Sequence, residues 1–277
     1  MTSFEIRRPA RETELPLIVH VPHSSVDVPP RYRADFAVTD EELASELLTM
    51  TDHHTDELAR FATRLGGTIF GNRLSRLVMD PERFRDDASE PMGRRGMGAI
   101  YVSRHDGLPL RRPDFSSKDR SRLIAELYDP YHAALEQLVS EHLKAHGCCL
   151  IVDLHSFPKQ PLAYEDASLE RRPLCIGYDA VHVDEVLRDQ WAAQLRQRRL
   201  AFAFNSPFAG SLVPSRFYQR DRRVRSLMIE VRRDLYMDET RGGKTLGFQK
   251  ARELFATLLE TAAARARALC ETTQAPR

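Results

Sequence analysis

The stretch Cys148 to Pro158, CCLIVDLHSFP, limits what this chain can fold into more than any other. Two cysteines and an unbroken apolar run lead into Asp153, His155 and Ser156, the pattern of a strand buried on both faces of a mostly parallel sheet. Ligands in such sheets lie beyond the carboxyl ends of strands. His155 falls at that end beside an acid and a hydroxyl, which makes it the first candidate metal ligand. The competing reading is a hydrogen-bonded core histidine with Asp153 as a turn cap.

A second short β-branched run, Leu17 to Val21, stops at Pro22-His23-Ser24-Ser25 and so also ends in a histidine. Parallel neighbours would bring His23 and His155 to one edge of the sheet, whereas His20 lies inside its strand and reads as structural. Thr68 to Phe70, Leu77 to Met79, Leu174 to Gly177, Ala201 to Phe204 and Ser226 to Val231 are further strand candidates. Between them run helical patterns. Thr39-Asp40-Glu41-Glu42 is a capping signal. A stretch carrying Asp52, His53, His54 and Asp56 precedes an apolar helical set that stops at Gly66-Gly67, and the helical spacing puts Asp52 and Asp56 on one face. Lys118 to His146 is periodic but interrupted at Pro130, which predicts a kink or a split. Asp184 to Arg198 holds the single Trp191 as a core anchor, and Gly247 to Cys270 is amphipathic. Residues 1 to 14 read as a polar lead-in, and 85 to 120 as a long irregular loop. The alternation predicts an α/β protein, three-layer α/β/α, with residues 1 to 277 as one domain.

With 29% charged residues and a formal net charge of +1, nothing suggests bulk attraction to nucleic acid or membrane. The N-terminal MTSFEIRRPARETELP has charges where a secretory signal would be apolar, and no run approaches membrane-spanning length, so a cytoplasmic location is expected. Four cysteines without a C-x-x-C pattern speak against both disulfides and a thiolate zinc site. Any metal must then be held by imidazole and carboxylate.

His23, Asp52, His155 and Glu230 are the groups that a mononuclear hydrolytic zinc site needs. Such a site takes about three His or carboxylate ligands and leaves room for water. Glu230 stands among apolar neighbours in SLMIEV, where an acid is costly unless paired, metal-bound or protonated. Arg73, Arg76 and Arg83 cluster around Leu77 to Met79, and a guanidinium there suits a substrate carboxylate. Tyr131 and His132, just past Pro130, are candidates either to reach a site or simply to pack.

The stretches VHVPHSS (19 to 25), TDHHTDELA (51 to 59), SRLVMDPER (75 to 83), YDPYH (128 to 132), IVDLHSF (151 to 157), NSPFAGS (205 to 211) and LMIEVRRDLY (227 to 236) together resemble the N-formylglutamate amidohydrolase family. The resemblance implies a zinc carboxypeptidase-like fold and one bound divalent metal ion, Zn2+. It implies His23 and His155 as metal ligands with Asp52 as the third, for which His54 and Asp56 are rivals, and Glu230 as the base. Arg83 matches the arginine that ends the family's D-x-N-R stretch and would hold a substrate carboxylate, with Arg76 a second candidate. His132 and Asn205 fall in matched stretches and are further candidates for substrate binding. The chain departs from the pattern at Glu82, where the family has Asn. The activity implied is hydrolysis of N-formyl-L-glutamate to formate and glutamate, a step in histidine breakdown. The alternatives are an amidase or peptidase acting on another N-acyl amino acid or small peptide, and a non-catalytic binder of acidic ligands.

Overall fold

The computed structural model describes residues 2–274. Its core is one seven-stranded sheet in the order β1-β3-β2-β4-β7-β5-β6. In chain order the elements are β1 (Phe4–Arg7), β2 (Leu17–Val21), α1 (Pro30–Arg33), α2 (Asp40–Met50), α3 (Thr55–Ala59), β3 (Thr68–Asn72), α4 (Ser117–Leu123), α5 (Asp129–His146), β4 (Cys149–Phe157), β5 (Leu174–Gly177), α6 (Glu185–Gln197), β6 (Phe202–Phe204), β7 (Val224–Arg232) and α7 (Gly247–Gln274). The three central strands β2, β4 and β7 are parallel, and within the sheet β1 pairs antiparallel with β3 and β5 antiparallel with β7. This is the mixed, mostly parallel sheet that the alternation predicts.

All nine residues of β4 are buried, because each of its faces meets a separate apolar layer. Leu150, Val152 and Leu154 join the core under α3, α6 and α7, and Cys149 and Ile151 join the core under α5. The period of two then puts Asp153 and His155 on the α5 side. Trp191 is fully buried, with its indole N–H donating to the Leu258 carbonyl of α7 (3.0 Å).

Some local expectations fail for physical reasons. The lead-in contains β1, whose Phe4 and Ile6 pack inward while Glu5 and Arg7 alternate outward. Leu77 to Met79 is not a strand but a buried turn, with the Val78 and Met79 amides bonded to Ser75 O. The buried Arg111 donates to the carbonyls of Leu77 and Val78 and so does the work of a neighbouring strand. Asp52 does not share a helical face with Asp56: α3 begins at Thr55, after His54 in a left-handed conformation. Pro130 falls in the first turn of α5, and a short π-turn over Ile124–Tyr128 joins α4 to it. Gly147, at φ 75°, closes α5. Among the described residues no helix is long and apolar enough to cross a membrane.

Candidate active site

Where β2 and β4 end, the chain opens a cleft of about 750 Å³ on the α5 side of the sheet, lined by His23, Asp52, Arg76, Glu82, Arg83, Asp153, His155, Glu230 and Arg233. The rings of His23 and His155 stand 5.1 Å apart. Asp52 reaches them from the loop before α3, where its amide donates to the His23 carbonyl (2.9 Å). Its Oδ2 lies 3.1 Å from His155 Nδ1 and 3.6 Å from His23 Nδ1. Oδ1 is taken by the Arg233 guanidinium at 2.9 Å. Burial alone would raise the Asp52 pKa, but the bond from His155 and the charge of Arg233 outweigh it and hold the acid well below the carboxylate range.

The far side of His23 is fixed by Asp80, a fully buried acid whose Oδ1 is 2.8 Å from His23 Nε2. Asp80 Oδ2 takes bonds from Arg76 (2.7 Å) and the Tyr101 hydroxyl (2.7 Å). A carboxylate on Nε2 sets the tautomer so that Nδ1 carries the lone pair. His23 Nδ1 is buried and has no hydrogen-bond partner among the described residues.

His155 is 4% exposed, and its Nε2 lies 3.1 Å from both Glu82 Oε2 and Asp153 Oδ1. In register with it on β7 stands Glu230. Burial is the main force on that acid, opposed by the His155 charge and reinforced by Asp52, and it pushes Glu230 up to about 8. Its Oε2 is likewise buried without a partner among the described residues. Orphaned imidazole and carboxylate atoms around one cleft fit a divalent cation in donor chemistry. One donor atom each from His23, Glu82 and His155, and likewise from His20, Glu82 and Asp153, falls within 4.8 Å of the others.

The structure separates the other candidates. Arg76 and Arg83 both line the cleft. Arg76 is committed to Asp80, whereas Arg83 Nε is 3.6 Å from Asp80 and has no hydrogen-bond partner among the described residues. His132 does not line the cleft; its ring lies tilted against Tyr128 (centroids 4.1 Å), and burial, aided by the charge of His20, lowers it to about 4. Asn205 does not line it either. Its Oδ1 accepts from the amides of Tyr178 (2.8 Å) and Gly210 (3.3 Å), so it shapes the loop whose later residues, Phe208 to Val213, form a wall. His54 and Asp56 are also outside the lining, and His54 Nε2 is bonded to Gly242 O. Sequence reasoning missed Asp80, Arg233 and the position of Glu82 in the cleft. All three sit in the stretches MDPER and IEVRRD, where charge beside an apolar run was the available signal.

Comparison with known proteins gives the chain's relatives. An N-formylglutamate deformylase of Pseudomonas aeruginosa is 26% identical over 228 residues, which cover 81% of this chain and 83% of that protein. The crystal structure of an N-formylglutamate amidohydrolase from Ralstonia eutropha superposes with a TM-score of 0.84 at 26% identity, covering 97% of this chain and 99% of that one. A gene product of Agrobacterium tumefaciens shares the fold with a TM-score of 0.67 at 20% identity, covering 98% and 97% of the two chains. The model of the N-formylglutamate amidohydrolase family matches residues 15–237, and the chain belongs to that family.

Proposed function

We propose that the protein is a metal-dependent amidohydrolase that cleaves N-formyl-L-glutamate to formate and L-glutamate. The observation that carries this reading is the meeting of His23, Asp52 and His155 at one rim with Glu230 beside His155 in register. His23 through Nδ1, Asp52 through Oδ2 and the His155 imidazole would hold the ion, and this imidazole and carboxylate set suits zinc. When bound, such an ion supplies a Lewis acid for the formyl carbonyl and a positive charge that favours ionised Glu230.

The chain's own residues account for the remaining chemistry. Asp80 on His23 Nε2 and Arg233 on Asp52 Oδ1 fix the ligands, so little reorganisation is needed on binding. Glu230 takes a proton from the attacking water as the carbon–oxygen bond forms, and delivers it to the amide nitrogen as the carbon–nitrogen bond breaks. Arg83, with its unpartnered Nε in the cleft, holds a substrate carboxylate; Arg76, bound to Asp80, keeps that acid ionised and in place.

Its place would be the cytoplasm, in histidine breakdown; the buried thiols of Cys148, Cys149 and Cys175 are consistent with a reducing compartment. A cleft of about 750 Å³ is roomier than so small a substrate fills, which favours as second reading a larger N-acyl amino acid or small peptide. A hydrolysis screen over N-formyl and larger N-acyl amino acids with acidic, basic and neutral side chains, with and without added zinc, tests both. Metal-stimulated release of formate from N-formylglutamate above all other substrates is expected. Preference for a larger acyl group would replace the first reading with the second, and no metal-stimulated hydrolysis would overturn both.

A further inference from the structure

His20, Glu82 and Asp153 form a donor group that the hydrolytic reading leaves unused. β2 and β4 set His20 beside Asp153 in register, with His20 Nδ1 2.8 Å from Asp153 Oδ1 and 3.5 Å from Glu82 Oε1. His20 Nε2 lies 2.7 Å from the Tyr131 hydroxyl, and with that hydroxyl donating to Nε2 the Nδ1–H points at Asp153, where a bound divalent ion would take the place of the proton. Asp153 Oδ2 accepts the Leu212 amide (3.0 Å), which leaves Oδ1 for the cluster. Glu82 belongs to both candidate groups: Oε1 points toward His20 and Oε2 lies 3.1 Å from His155 Nε2.

The charges here lack the guanidinium partners that their neighbours have. Asp52 is paired with Arg233, and Asp80 with Arg76 and Arg83. Among the described residues Glu82 and Asp153 reach only the imidazoles of His20 and His155 within ion-pair distance. Glu82 Oε1 is buried without a hydrogen-bond partner, and so is His155 Nε2, although two carboxylate oxygens stand 3.1 Å from it. Adjacent buried carboxylates without a guanidinium or ammonium are costly. Two carboxylates and an imidazole at these spacings are a donor set for a divalent ion.

We propose that His20, Glu82 and Asp153 form a second divalent-cation site, and that Glu82 bridges it to the site of His23, Asp52 and His155. The proposal rests on the first site being a metal site. A carboxylate offering one oxygen to each of two clusters is the arrangement by which paired ions share a ligand in two-metal hydrolases.

The test is metal counting on the whole chain. Protein stripped with chelator is titrated with Zn2+ or Mn2+, freed of excess, and its bound metal measured by elemental analysis, with electron paramagnetic resonance of the Mn2+ form. The wild type is expected to bind two ions per chain and to give an exchange-coupled Mn2+ signal. E82Q and E82N, in which an amide replaces the bridging acid, are expected to bind one ion and to give the signal of isolated Mn2+. If either variant fails to fold, wild-type stoichiometry and spin coupling decide alone. One ion per wild-type chain with an uncoupled signal overturns the second site and leaves the first standing. No bound ion overturns both.

Discussion

Glu230→Gln separates chemistry from metal binding in one substitution. Glutamine keeps the shape of the side chain and removes the acceptor, and Glu230 belongs to neither candidate metal group, so metal content is expected to match wild type. Loss of a positioned general base lowers kcat by about 10²- to 10⁴-fold, which at 1.36 kcal/mol per decade is about 3 to 5 kcal/mol of barrier. The same change carries a stability signature of opposite sign. Burial moves the Glu230 carboxyl from 4.5 to about 8, on the order of 5 kcal/mol at 1.36 kcal/mol per pH unit. An acid raised on folding stabilises the metal-free native state below pH 4.5, and that stability is lost as pH rises toward 8. Glutamine removes this loss. Metal-free E230Q should therefore melt several degrees above metal-free wild type at pH 8, with the gap closing toward pH 5. Thermal unfolding across pH, formate release and metal content are the three assays. Full turnover in E230Q would remove Glu230 from the base role, and parallel melting curves across pH would show that burial does not hold this acid neutral.

Further tests address the cleft and the frame around it. Arg83→Met, which removes the guanidinium whose Nε has no hydrogen-bond partner among the described residues, should raise KM for N-formylglutamate by about 10- to 100-fold with kcat largely kept, as for loss of a charged hydrogen bond; an unchanged KM would assign the carboxylate elsewhere. Asp52→Asn should weaken metal affinity in equilibrium dialysis and destabilise the fold by about 3 kcal/mol, because Arg233 loses its buried partner; unchanged affinity would shift the third ligand to Glu82. His142, 2% exposed, is lowered by burial to about 4, so the unfolded chain takes up a proton first as pH falls below 6.5. His142→Leu should flatten the loss of stability between pH 6.5 and 4, a span worth about 3 kcal/mol, and an unaltered acid limb in denaturant titrations would refute the assignment.

The sheet could be read from the sequence because its inner strands carry their own boundary signals. Leu17–Val21 and Leu174–Gly177 are bracketed by turn residues, and β4 shows its two-sided burial as an unbroken apolar run. The Thr39 cap could be read for the same local reason, and its reciprocal bonds with Glu42 are present. Where neighbours decide, the pattern misleads. Leu77 to Met79 is as apolar as a strand, yet its carbonyls face Arg111, which comes from a loop that carried no warning of it.

The same division runs through the site. A period of two on β4 and β7 aims Asp153, His155 and Glu230 into the cleft, so those acids and the histidine are given by strand position once the strands are known. What strand position cannot give is the set of partners arriving from loops. Asp52 needs the His23 carbonyl to hold its amide, and Asp80 needs the turn of Ser75 to Met79 to bring it under His23. In the sequence Glu82 stands directly beside Arg83, the candidate carboxylate-binding arginine. In space it faces the imidazoles of His20 and His155 instead. Its charge therefore bears first on those two imidazoles, and on Arg83 only through the chain that joins them.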